Sequence, residues 1–206
     1  MKNTFFCVVI CLLTHWVQAA PKVTVKIPET ALKHPVDGRL YLFTSTGNGA
    51  PVSGPNWFSP EPFYAVDVTL DGGGLVELSG VTKGFPGSLG ELEEGAYRIQ
   101  ALFDFDVYHS NHANGEGNLY SEVQEVNWTG DNVLEFELSK VIKGVPFRQT
   151  EYRKQVRLYS PRLSSFYGRE IVQKAAVVLP RSYFESPELR YPVIYTVSGF
   201  GGLHET

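Results

Sequence analysis

The stretch Asp104-Phe105-Asp106-Val107-Tyr108-His109-Ser110-Asn111-His112, followed by Asn114-Gly115-Glu116-Gly117-Asn118, holds the densest set of side chains able to do chemistry. Asp104 and Asp106, two apart, share a face if the backbone is extended. His109 and His112 have a spacing compatible with two ligands of one metal, and an oxygen-rich loop suits calcium. An EF-hand spacing and a closing bidentate Glu are both missing. The same composition also describes a long Asn/Gly hairpin loop whose side chains bond their own backbone. The loop is the preferred reading, with Asp104, Asp106, His109 and His112 kept as metal candidates and no cofactor expected.

A second stretch, Ser198-Gly199-Phe200-Gly201-Gly202-Leu203-His204, follows directly on the apolar run at 193–197. Glycines there let main-chain N–H groups come close to a ligand. Pro86-Gly87-Ser88-Leu89-Gly90 is the nearest approach to G-x-S-x-G, but Pro stands where the first Gly belongs, so it reads as a turn. Asp71-Gly72-Gly73-Gly74 reads as a hairpin turn and not a phosphate loop, because a strand pattern and not a helix follows it. His34, His109, His112 and His204 show no recognisable Ser or acidic partner. Asn127-Trp128-Thr129 fits a glycosylation acceptor, a triplet that also arises by chance.

These stretches must be held by β structure. Short alternating or aromatic-rich segments at 23–27, 39–44, 64–70, 75–78, 97–105, 122–128 and 133–138 lie between clusters of Gly, Pro, Asn and Asp. In the last, Leu134, Phe136 and Leu138 alternate with Glu135 and Glu137, which gives one wet face. About 120 residues with this pattern predict two packed sheets of the immunoglobulin-like or transthyretin-like kind over 22–140. A linker at 141–150 carries Gly144 and Pro146. Beyond it, 155–159 and 171–179 form an antiparallel pair across a turn at Gly168, and 193–197 is expected to be a strand buried on both faces.

Residues 1–19 read as a signal peptide: Lys2, an apolar run at 5–13, and small residues before a cut ahead of Ala20. That run is shorter than the roughly 20 apolar residues that span a bilayer, so no transmembrane anchor is expected. The protein is then exported, periplasmic or extracellular. Cys7 and Cys11 both lie in the leader, so the mature chain has neither a disulfide nor a thiolate metal site. With 18 basic against 22 acidic residues among 206, and no basic cluster, nucleic acid is not a partner.

Val177-Val178-Leu179-Pro180-Arg181-Ser182-Tyr183, Arg190-Tyr191-Pro192-Val193-Ile194-Tyr195 and Gly199-Phe200-Gly201-Gly202 together resemble the opening of an esterase family of α/β hydrolases. That family includes siderophore esterases, feruloyl esterases and S-formylglutathione hydrolases. The resemblance covers 151–206; the module before it, with 115–121, is similar to sandwich regions of exported members. It implies a mainly β chain in which a sandwich is followed by the first strands of an incomplete α/β-hydrolase domain. It also implies an oxyanion loop at Gly199, Phe200, Gly201 and Gly202, with Phe200 and Gly201 nearest the oxyanion. Ser198 stands where many members carry His; the oxyanion contribution comes from the main chain.

In such hydrolases the nucleophile, acid and His all follow the glycine loop. The chain as written is therefore expected to be inactive, the front of a longer serine esterase acting on a small-molecule or polymer-linked ester. The alternative is a secreted carbohydrate-binding sandwich using Trp57, Phe58 and Trp128 as stacking surfaces. A metal-dependent protein centred on the Asp/His stretch and a purely structural envelope role also remain open.

Overall fold

Alternation of apolar and polar residues carries through to strands almost everywhere it occurs. The computed structural model describes residues 19–56, 58–197, 199 and 202–204. Residues 1–18, on which the signal-peptide expectation falls, Trp57, Ser198, Phe200, Gly201 and the last two residues lie outside them. The protein is mainly β, and its contacts divide it into two units, Met1–Phe103 with Tyr120–Ser139, and Asp104–Leu119 with Lys140–Thr206. Among the described residues no helix is long and apolar enough to cross a membrane.

The first unit holds two sheets. In the smaller one β1 (Lys22–Lys26) lies between β4 (Leu75–Ser79), antiparallel to it, and β9 (Val133–Glu137), parallel to it. Register puts Val23 beside Leu78 and Leu134, and Val25 beside Val76 and Phe136. Val23, Val25, Leu78 and Phe136 are fully buried, and each such side chain contributes about 1.5–3 kcal/mol through burial. Across the outer face, Lys22 pairs with Glu77 at 2.7 Å and Lys26 with Glu135 at 2.6 Å. Exposed ion pairs of this kind order the surface and add little stability.

The larger sheet runs β6 (Gly95–Asp104), β2 (Val36–Ser45), β3 (Phe63–Leu70), β5 (Gly84–Phe85), with β8 (Gln124–Trp128) on the far side of β6. Its buried face carries Leu40, Leu42 and Tyr64, Leu42 and Tyr64 being cross-strand partners. Its other face is tied by side-chain ladders. Arg39 makes two hydrogen bonds to Asp67, at 2.6 and 2.9 Å, and these hold the Asp67 carboxyl below the usual carboxylate range. Phe43, Phe63 and Phe85 are successive cross-strand neighbours, 6.1 and 6.2 Å apart, with Tyr41 stacked 5.2 Å from Phe43. Gln100 is buried with both ends bonded, its amide donating to Ser121 O and accepting from Val52 N–H.

Of two expected turns, one changes in detail and the other stands. The glycines at 71–74 do not close a hairpin: β3 belongs to the larger sheet and β4 to the smaller, so this turn carries the chain between sheets. It is held to the end of β1, Gly73 N–H donating to Ile27 O and Ile27 N–H to Gly74 O. A Cβ on Gly72 would lie 2.1 Å from Glu29 O and 2.9 Å from Leu32 O, so only glycine fits. Ser88 sits in the turn expected for it, its hydroxyl and its N–H both donating to Glu91 at the start of a short 3-10 turn.

In the second unit β11 (Arg153–Tyr159) and β12 (Val172–Val178) form an antiparallel two-stranded sheet, as the apolar pattern predicted. The link is more than a turn. Pro161 starts a short helix, α1 (Pro161–Tyr167), whose N-cap Ser160 accepts from Leu163 N–H and whose C-cap is Gly168. A third apolar stretch, 193–197, is not a strand; it pairs with no other segment among the described residues, and Val193, Ile194, Tyr195 and Val197 are 72%, 87%, 90% and 93% exposed.

Replacing Gly72 by Ala should lower unfolding stability by about 2–3 kcal/mol in urea titration, since backbone must move to admit the methyl, whereas Gly49→Ala, in open space, should cost under about 1 kcal/mol. Burial pushes the Tyr64 phenol up to about 12, with Tyr97 adding to it. The folded state then keeps a proton that the unfolded chain releases near its usual value of 10.0, so this stability is full below that pH and falls as pH rises towards about 12. Tyr64→Phe should flatten that alkaline decline in chemical denaturation; an unchanged slope would exclude Tyr64 as its source.

Candidate functional site

The polar stretch at 104–118 is organised by one amide. Asn118 is fully buried. Its Nδ2 donates to Asp104 Oδ1 at 2.7 Å and to His112 O at 2.9 Å, and its Oδ1 accepts from the N–H groups of Phe105 and Asp106 at 3.0 and 3.1 Å. Two donors and two lone pairs are all that a carboxamide has, so every one is used. Asp104 Oδ1 also accepts from Asp106 N–H. Gly115 makes room for this knot, since a Cβ there would meet Asn118 Nδ2 at 2.3 Å. The far end of the loop is fixed by paired main-chain bonds, Gly117 N–H to Ile142 O and Ile142 N–H to Asn118 O.

The knot sets Asp106, whose Oδ2 accepts from Tyr108 N–H, His109 N–H and His109 Nδ1 at 3.0, 2.7 and 2.8 Å. Both side chains of the pair are largely buried. The sequence left His109 without an acidic partner, and the structure corrects this: Asp106 is that partner. The three-residue spacing was the signal, because an Asx turn folds a carboxylate back onto the residues two and three ahead.

Two cations from β12 and the turn before it come to the same place. Arg169 Nη2 donates to Phe105 O at 2.7 Å. Lys174 Nζ lies 5.8 Å from the Tyr108 ring centre and 3.9 Å from Glu116 Oε2. Tyr108 in turn accepts from Val172 N–H through its hydroxyl at 3.1 Å. Phe105, Asp106, Tyr108, His109, Glu116, Arg169 and Lys174 line a cleft of about 140 Å³. Arg169 and Lys174 carried no sequence signal, being remote in the chain from the loop they meet.

The four metal candidates are not gathered. Asp104 Oδ1 accepts from Asp106 N–H and Asn118, Asp106 Oδ2 from Tyr108 and His109, and His112 offers its carbonyl to Asn118. Among the described residues no group of three His, Cys, Asp or Glu side chains could hold a metal ion. Of the proposed oxyanion loop, Gly199 and Gly202 are described: Gly202 N–H donates to Gly199 O at 2.9 Å, and among the described residues no atom would crowd a Cβ on Gly199. Phe200 and Gly201 lie outside the described residues. Near them, His204 stacks on Phe147 at 5.8 Å, its Nε2 2.8 Å from the Gln155 amide nitrogen and its carbonyl accepting from Arg153.

Of the three aromatic candidates for stacking, Trp128 is buried in the first unit, with its indole N–H meeting no acceptor among the described residues, and presents no face to a ligand. Phe58 is 99% exposed, and Trp57 lies outside the described residues. Fold and site thus define a mainly β protein with a His–Asp pair in a cleft that two cations and two carboxylates line. Comparison with family models, curated proteins and solved structures gave no match.

Asn118→Ala should remove about 2–3 kcal/mol, because Phe105 and Asp106 amides lose a buried acceptor. Hydrogen exchange should show these two amides deprotected well beyond those of β1; equal protection in both proteins would refute the role given to the knot.

Proposed function

We propose that the chain is the N-terminal portion of an exported serine esterase. In this reading the first unit is a sandwich of immunoglobulin-like or transthyretin-like kind, β11 and β12 are the opening strands of an α/β-hydrolase domain, and 193–197 is a segment that would pair only within the completed domain. The observation that carries it is the exposure of the apolar run at 193–197 directly before Gly199. Leaving such side chains in water forgoes about 1.5–3 kcal/mol each, which a sheet covered on both faces would recover. Leu158, Tyr159 and Val178 of the hairpin are also more than half exposed, which fits the same need for cover.

The chemistry follows from the main chain. A carbonyl under attack becomes an alkoxide, and N–H groups fixed roughly 2.7–3.1 Å from that oxygen stabilise it without having to reorganise as the reaction proceeds. Uncrowded backbone at Gly199, with Phe200 and Gly201 beside it, suits a loop of this kind. The attacking hydroxyl and its His–acid pair come from residues after the loop, since Ser88 is committed to Glu91. The substrate is an ester of a small molecule or a polymer, cleaved after export.

The 206-residue chain should hydrolyse an activated ester no faster than buffer and take up no fluorophosphonate, and the codons beyond Thr206 should encode G-x-S-x-G followed by Asp or Glu and His. A fluorophosphonate adduct on this chain, or stop codons in every frame before such a motif, would overturn the proposal. Carbohydrate binding by the first unit is favoured by the exposure of Phe58 alone among the described candidates, and a glycan array on which Phe58→Ala loses no signal would remove it.

A further inference from the structure

We infer that the cleft around His109 binds a small tetrahedral oxyanion of the phosphate class, free or as a terminal phosphate monoester, by contact with His109, Arg169 and Lys174. This goes beyond the esterase reading and does not depend on it.

The charges decide the sign of the ligand. Of the two carboxylates lining the cleft, Asp106 is the nearly buried one, and its Oδ2 already accepts three hydrogen bonds, two from the loop backbone and one from His109. Its negative charge is thereby directed at the loop and the imidazole. Glu116 has a side chain 63% exposed that lies against Gly144, and at 3.9 Å from Lys174 it makes only a weak, water-screened ion pair. Among the described residues Arg169 uses one N–H of its five-donor guanidinium, on Phe105 O. Lys174 stands over the face of Tyr108, and its side chain is only 23% exposed.

The geometry decides the shape. With Nδ1 held by Asp106, His109 meets a ligand through Nε2, which donates to an oxyanion when the ring is charged and accepts from a P–OH when it is neutral. A guanidinium fork, an ammonium and an imidazole from three chain segments match the several oxygens of a tetrahedral anion, where a carboxylate would leave donors unused. A cleft of about 140 Å³ admits an ion of that size, with the rings of Phe105 and Tyr108 as its apolar side. The Asn118 knot and the Tyr108 bond to Val172 fix the loop to β12 through the protein's own hydrogen bonds, which lowers the ordering cost of binding.

The test is titration of the full chain with inorganic phosphate, glycerol phosphate, sulfate and acetate, followed by the His109 ring signals in NMR and by calorimetry. Phosphate at millimolar concentration should shift the His109 signals while those of His34 stay in place, and acetate should not compete. Lys174→Gln, which removes a side chain that bonds no backbone in the cleft, should weaken phosphate binding about tenfold, and Arg169→Lys should weaken it further by losing the fork. Tighter binding of glycerol phosphate than phosphate would mark the monoester as the ligand, and equal binding the free ion; both support the site. No shift at His109 with any of the anions, or unchanged affinity in Lys174→Gln at intact thermal stability, would overturn it.

Discussion

A single buried carboxamide governs the second unit's polar loop. Asn118 has no contact with solvent and four bonding positions, and the loop at 104–112 is shaped to fill all four. Neither Asp nor Leu, close in size, would serve, since one lacks the donors and the other lacks everything polar. What hangs on this amide is sequential: it fixes the backbone of Phe105 and Asp106, Asp106 then fixes the imidazole of His109, and Phe105 offers its carbonyl to Arg169. A loop rich in Asn, Asp and Gly, the composition of floppy turns, is made rigid by saturation of one group.

The first unit is held differently. Its core is aliphatic and aromatic, with Gln100 and Ser121 as a small satisfied polar pair, and its strands are tied by ladders in which charge or ring meets its cross-strand neighbour, the ion pairs exposed and Phe43 of the aromatic ladder buried. The aromatic ladder of Phe43, Phe63 and Phe85 spends its ring faces on one another. It is therefore a device for registering three strands more than a platform for a flat ligand, and the buried Trp128 supports the same division between packing and recognition.

Much of the strand content was legible because half-buried strands write their environment as a two-residue alternation, as Val133–Glu137 shows with Phe136 inward and Glu135 and Glu137 outward. The two-residue strands β5, β7 (Leu119–Tyr120) and β10 (Lys140–Val141) are too short to carry a period. The helix α1 was missed because its seven residues give fewer than two full turns of pattern, though Ser160-Pro161 marked its start. The run at 193–197 misled for the opposite reason: β-branched residues state a preference for pairing, and pairing needs a neighbour that composition cannot supply. At the cleft, Asp106 and His109 were visible as polar residues but not as a pair. Arg169 and Lys174 were invisible as participants, because their role exists only after β12 folds back towards the loop.

The central position of β1 sets an order on assembly. Its parallel neighbour β9 lies more than a hundred residues later, as the Lys26–Glu135 contact across 109 positions shows. At ribosomal rates of about 5–20 residues per second, the first strand must wait on the order of ten seconds for one of its two partners to be made. During that interval β1 has only β4 to lean on, and this sheet can be completed only once β9 has been made.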